Sequence, residues 1–201
     1  MKNFAVFASG NGSNFEAIAK AVKNGRIKAH LALLICDQPN AFVIKRAQRL
    51  RVRIALIKRE DFSSKRDFEL KIIEILKENK IGLVVLAGFM RIVGEKLLEA
   101  YKNRIVNIHP ALLPSFKGAH GIKDAFNYGV KVTGVTVHFV NDELDGGSII
   151  LQKEITVKDN DTLESLEAKI HKLEHELYPQ AINLIINSKI KLKGRKASVT
   201  Q

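Results

Sequence analysis

Asn107 and His109 stand one residue apart at the end of an apolar run, Ile105-Val106, and Pro110 follows them. In a strand alternate side chains share a face, so the amide and the imidazole point one way while Val106 and Ile108 point the other. Pro110 lacks a backbone donor and disfavours helix at His109, which ends the strand there. An amide can donate a hydrogen bond to a developing oxyanion, and an imidazole can move a proton near neutral pH. The pair suits attack on a carbonyl carbon. The same two residues, read alone, also fit a turn-capping Asn beside a half-buried structural His.

For that pair to do chemistry, the rest of the chain must hold it at the carboxyl end of a strand, where open α/β sheets bind ligands. Residues 4–8 are a short apolar run, Ser9-Gly10-Asn11-Gly12-Ser13-Asn14 is a glycine-rich turn, and Phe15, Ile18 and Val22 then recur at helical spacing. Strand, loop and helix start in that order can offer backbone N–H groups to an anion. The glycines permit positive φ and close approach, and Ser13 or Asn14 can cap the helix. The loop has neither the spacing of a dinucleotide fingerprint nor the Lys of a P-loop. Strands are predicted at 31–35, 53–57 and 83–87, and helices at 42–50 and 65–78. This alternation implies right-handed βαβ units and a mostly parallel sheet. Beyond the 112–121 loop, residues 122–128 predict a short helix. Residues 132–140 and 148–157 predict an antiparallel pair joined by the 142–147 loop. Leu163, Leu166, Ile170, Leu173 and Leu177 step by three and four, which predicts a long amphipathic helix to about residue 185, with Pro179 a candidate kink. The expected fold class is α/β: a Rossmann-like, mostly parallel twisted sheet with an antiparallel C-terminal part. We expect one catalytic domain over 1–188, with halves at about 1–106 and 107–188, and a basic edge strand or tail over 189–201.

The bulk properties restrict the setting. The chain has 201 residues, 46% of them apolar and 27% charged, which is ordinary for a soluble globular protein. No apolar run approaches the roughly 18 residues of a membrane span. The N-terminus runs into a strand pattern without a signal-peptide core, and Cys36 has no second cysteine to pair with, so a reducing, cytoplasmic setting is expected. With 33 Lys and Arg against 21 Asp and Glu, the formal charge is +12. Anionic small molecules would be attracted. No aromatic-interleaved basic stripe accompanies the charge, so nucleic acid is not expected as a partner. His109, His120 and Cys36 lack metal-ligand spacing, and no metal is expected.

The longer strings carry more. Asn107-x-His109-Pro110-x-Leu112-Leu113-Pro114 followed by Lys117-Gly118-x-His120 resembles the folate-dependent formyltransferases. Gly10-Asn11-Gly12-Ser13-Asn14 lies upstream, and Asp142-Glu143-Leu144-Asp145-Gly146-Gly147 lies downstream. With both, the likeness spans about residues 4–185 and is closest to the branch acting on glycinamide ribonucleotide in purine synthesis. The resemblance implies the formyltransferase fold. It also implies transfer of a formyl group from the cosubstrate 10-formyltetrahydrofolate to the amine of N1-(5-phospho-D-ribosyl)glycinamide. Asn107, His109 and Asp145 would be catalytic. Gly12, Ser13, Asn14, Phe15, His171 and Glu174 would bind the ribonucleotide. Lys65, Met90, Arg91, Ile92, Val93 and Asn107, with the loop Asn141, Asp142, Glu143, Leu144 and Asp145, would bind the folate. Read alone, Asp145 is one acid in an acidic loop. Placed against an imidazole, a carboxylate favours the imidazolium. Asp142 and Glu143 are expected as solvated loop charges, Gly146-Gly147 as the residues that permit a tight turn, and His120 and His138 as lesser candidates. Partners are then two small molecules, with the chain a monomer or weak homodimer and the basic segment after Ser188 dispensable.

The nearest rivals are the catalytic domain of methionyl-tRNA formyltransferases, which carry an additional C-terminal domain and lack this glycine loop, and formyltetrahydrofolate hydrolases, which usually carry an N-terminal regulatory domain. A basic RNA-binding protein on an α/β core is supported by the charge alone.

Overall fold

The computed structural model describes residues 3–200. The chain divides into two compact units, one running to Val106 and the other starting at Asn107. The fold is α/β, mostly parallel, with antiparallel strands toward the C-terminus.

The first unit alternates strand and helix: β1 (Asn3–Ala8), α1 (Ser13–Lys23), β2 (His30–Cys36), α2 (Phe42–Arg49), β3 (Ile54–Leu56), α3 (Lys65–Glu78), β4 (Leu83–Leu86) and α4 (Glu95–Ala100). Its strands lie in the order β3-β2-β1-β4, every pair parallel. A parallel sheet covered on both faces needs strands apolar on both sides. β4 is buried along its whole length, and in β1 everything from Phe4 to Ala8 is buried. α3 starts at Ser64, whose hydroxyl accepts the Asp67 amide N–H at 3.1 Å, and it buries Phe68, Ile72, Ile73 and Leu76. α4 is six residues long, too short for periodicity to reveal.

The chain passes into the second unit within β5 (Ile105–His109). There follow α5 (Gly121–Tyr128), β6 (Val132–Phe139), β7 (Ile149–Thr156), α6 (Leu163–Asn187), β8 (Lys189–Lys193) and β9 (Lys196–Thr200). β6 and β7 pair antiparallel, Val132 opposite Thr156. α6 opens with a capping box between Thr162 and Ser165 and runs 25 residues without a break. Pro179 lies inside it and is itself buried. Its stripe of Leu166, Ile170, Leu173 and Leu177 is buried. The segment expected as an edge strand or tail is a hairpin: β8 and β9 pair antiparallel, and β9 meets β7 in parallel register at Lys196–Ile149. The local strand order is β6-β7-β9-β8. Among the described residues no helix is long and apolar enough to cross a membrane.

Candidate active site

The second unit gathers titratable groups around the end of β5. His109 is buried, and its Nε2–H donates to the Phe116 carbonyl at 2.7 Å. That leaves Nδ1 facing Asp145 Oδ2 at 3.5 Å. His138, at the end of β6, is also buried. Its Nδ1–H donates to the Phe139 carbonyl at 2.8 Å, which turns Nε2 toward Asn107 Nδ2 at 3.3 Å and Asp145 Oδ1 at 3.6 Å. The Gly118 amide N–H donates to Asp145 Oδ2 at 2.8 Å. One carboxylate therefore sits between two imidazoles and a backbone donor. Burial presses the Asp145 carboxyl upward. His138, the Gly118 amide and His109 together outweigh that, and its pKa falls below the ordinary 3.8. Asp145 stays ionised at neutral pH.

Local backbone explains how the carboxylate arrives there. Asp145 adopts φ 50°, in the left-handed region that few side chains occupy. The tight turn expected beside the two glycines is there, closed by the Gly146 N–H on the Glu143 carbonyl at 3.1 Å, but neither glycine has a positive φ. A Cβ on Gly147 would fall 1.7 Å from the Phe139 carbonyl oxygen, and one on Gly146 would fall 2.3 Å from Glu143 Cδ. They are needed for close approach, while the strained residue is the acid itself. On the other side of His109, the buried Thr136 hydroxyl donates to the Ala111 carbonyl at 2.7 Å and accepts the Leu113 N–H at 3.0 Å. Gln152 adds bonds to Thr136 Oγ1 and to the Leu113 carbonyl, each 2.9 Å. This network fixes the loop that brings Phe116 and Gly118 to the two titratable groups.

His138 is the residue the sequence reading undervalued. A lone His in an apolar strand is usually structural, and only the β5–loop–β6 geometry reveals its contact with Asn107 and Asp145. Glu143 also differs from expectation. It is exposed, but its carboxylate pairs with Lys117 Nζ at 2.7 Å and with Arg195 Nη2. His120 is exposed and stands at the N-cap of α5.

In the first unit, a cavity of about 340 Å³ is lined by Lys65, Met90, Arg91, Ile92 and Val93, together with Phe68 and Phe89. Met90 and Ile92 leave 77% and 73% of their surface exposed, unusual for apolar side chains and suited to a rim that a ligand covers. Arg91 Nε donates to the buried Asp37 Oδ2 at 2.5 Å. The Gly94 N–H donates to Glu69 Oε1 at 2.6 Å, which ties the segment after Val93 to α3.

The glycine loop of the same unit departs from expectation at its cap. Neither Ser13 nor Asn14 caps α1; the N-cap is Gly12, at φ 77° with no side-chain cap bond. A Cβ there would lie 2.4 Å from Val43 Cγ2, so the position is closed to side chains by packing as well as by φ. Arg46 of α2 binds the Asn11 carbonyl and Oδ1, each at 2.9 Å, and pairs with the buried Glu16 of α1. The Phe15 side chain is fully buried in the core, which leaves only its backbone available to a ligand. On α6 of the second unit, His171 Nδ1 meets Glu174 Oε2 at 2.8 Å, and this bond raises the His171 pKa above 6.5. Glu174 is buried.

An amide, two imidazoles and an ionised carboxylate on an α/β frame can support proton-coupled attack on a carbonyl group. The sequence matches the formyl transferase family over residues 2–182, and the chain belongs to that family. Within it, a phosphoribosylglycinamide formyltransferase of Bacillus subtilis (strain 168) is 47% identical over 197 residues, covering 98% of this chain and 100% of that protein. A crystal structure of glycinamide ribonucleotide transformylase 1 from Symbiobacterium toebii aligns with a TM-score of 0.97 at 38% identity, over 100% of this chain and 95% of that one. The transformylase 1 of Geobacillus kaustophilus aligns at 0.91 with 46% identity, over 93% of this chain and 100% of that one.

Proposed function

We propose that this chain is a phosphoribosylglycinamide formyltransferase, moving a formyl group from 10-formyltetrahydrofolate to the amine of N1-(5-phospho-D-ribosyl)glycinamide. The observation that carries the reading is the cluster of the second unit. Asn107, His138, Asp145 and His109 are linked in sequence by contacts of 3.3, 3.6 and 3.5 Å. The neutral amine attacks the formyl carbon, the carbon becomes tetrahedral, and its oxygen takes up negative charge. Asn107 Nδ2 donates to that oxygen, and the His109 Nε2–H joins it by turning from the Phe116 carbonyl it holds at rest. A proton then leaves the former amine and reaches the folate nitrogen as its bond to the formyl carbon breaks. The ionised Asp145 orients both imidazoles, and His138 Nε2, accepting from the amide, holds Asn107 in place.

The cavity of the first unit suits the folate. Its apolar lining and exposed Met90 and Ile92 match a flat ring system, and Lys65 and Arg91 match an anionic tail. The ribonucleotide phosphate is assigned to Gly12, Ser13 and Asn14, and the ribose hydroxyls to Glu174, with His171 orienting that carboxylate. Both substrates are anionic, in keeping with a formal charge of +12. The working compartment is the cytoplasm, and no metal enters the reaction.

Formyl transfer from 10-formyltetrahydrofolate, assayed with glycinamide ribonucleotide, methionyl-tRNA or water as acceptor, tests the assignment. The expected result is turnover with the first alone. Release of formate at the same rate without any amine would make the chain a hydrolase and overturn the reading.

A further inference from the structure

The Asp145 loop is held from both sides by one side chain that the chemistry does not use. Glu143 begins a turn closed by the Gly146 N–H donating to the Glu143 carbonyl at 3.1 Å. Its side chain folds back across Gly146, where a Cβ would displace it from this position. Asp145 lies inside that turn in its left-handed conformation. One Glu143 oxygen accepts Lys117 Nζ at 2.7 Å, and the other accepts Arg195 Nη2.

The two cations come from places that matter. Lys117 sits between Phe116, whose carbonyl accepts His109, and Gly118, whose amide donates to Asp145. Arg195 sits at the turn of the β8–β9 hairpin. That turn is anchored beside the same loop by Ser148 Oγ, which donates to the Gly194 carbonyl at 3.3 Å, and by the Ile149–Lys196 register. Lys117 first and Arg195 second hold the Glu143 carboxyl below its ordinary pKa of 4.5, so the clamp is charged at neutral pH.

We propose that Glu143 is a positioning residue which ties the Asp145 turn to Lys117 on one side and to Arg195 of the C-terminal hairpin on the other, making the hairpin part of the machinery that sets turnover. This rests on the reading that Asp145 serves formyl transfer. The Arg195 side chain is 70% exposed, and exposed ion pairs add little to global stability. The clamp should therefore act on the rate and leave the melting temperature alone. It also gives the segment after Ser188 a share in setting turnover.

The test is a series of full-length variants assayed at saturating substrates: Arg195→Met, Arg195→Lys, Glu143→Gln, the double Arg195→Met with Glu143→Gln, and Asp145→Asn. Arg195→Met is expected to lower turnover about two- to fivefold, the range an exposed ion pair can supply. Its melting temperature and its KM for glycinamide ribonucleotide should stay unchanged, and Arg195→Lys should recover most of the loss. The double variant should be no slower than Glu143→Gln alone. High salt should slow the parent more than Arg195→Met and so narrow the gap between them. Wild-type turnover in Arg195→Met, or additive losses in the double, with Asp145→Asn still crippled, overturns the clamp and leaves the role of Asp145 standing. An Asp145→Asn variant as fast as the parent removes both.

Discussion

Two loops of this molecule have the same outline and opposite physics. The glycine loop, residues 9–14 in the first unit, and the acidic loop, residues 141–147 in the second, each follow a strand, contain two glycines and are gripped by an arginine from later in the chain. In the glycine loop the left-handed residue is Gly12, which adopts that conformation without a side-chain penalty. Its arginine, Arg46, is 19% exposed and engages a Glu16 side chain that is only 11% exposed. In the acidic loop the left-handed residue is Asp145 itself, and its arginine reaches an exposed carboxylate. The first loop is built like core and presents backbone. The second stores strain at the residue whose side chain is needed, which is where strained backbone usually occurs. On the proposed roles, a loop that only binds can be rigid and unstrained, whereas one that must aim a carboxylate at two imidazoles takes an awkward φ and is held from outside.

The comparison breaks first at the arginines. Arg46→Met removes two bonds to Asn11 and one ion pair to buried Glu16, which keeps Arg49 at 2.8 Å and Lys20 at 2.7 Å. The expected loss is about 1–2 kcal/mol of stability, chiefly from the Arg46–Glu16 pair, because Asn11 is exposed and Glu16 keeps its two other cations. Denaturant unfolding measures it. A loss no larger than that of Arg195→Met would mean the two loops are held alike.

How much of this was legible in the sequence follows from what each residue needs in order to be recognised. The βαβ alternation of the first unit was readable because strands such as β4 are apolar throughout and α3 carries a regular stripe. Asn107 and His109 were readable because strand period and Pro110 fix their common face. Asp145 was selected by resemblance, since no local rule separates it from Asp142 and Glu143. The Gly12 cap, the His138 contacts and the Glu143 clamp were not legible. Each depends on a partner 26 or more residues away, namely Val43, Asn107 and Lys117 or Arg195. The basic run after Ser188 read as an edge strand or tail, because nothing local shows that it forms a hairpin that meets β7.

A smaller effect sharpens the acidic loop. A carboxyl whose folded pKa lies below its unfolded 3.8 contributes stability that is present above that value and lost as pH falls through the folded value. The Gly118 amide proton, bonded to Asp145 Oδ2, reports the ionisation directly by NMR. The midpoint of its shift should lie below 3.8. A midpoint at or above 3.8 would mean that burial outweighs His138, the Gly118 amide and His109.

The central claim is that Asp145 and His109 work as one unit. It is tested most directly by turnover of His109→Asn, Asp145→Asn and the double variant at saturating substrates. Loss of the donor at position 109 should slow the reaction by roughly 10²–10³-fold. Within a unit the losses do not add, so the double should be no more than about threefold slower than His109→Asn alone. If the logarithms of the two single losses simply sum in the double, Asp145 acts independently of His109 and the account is wrong.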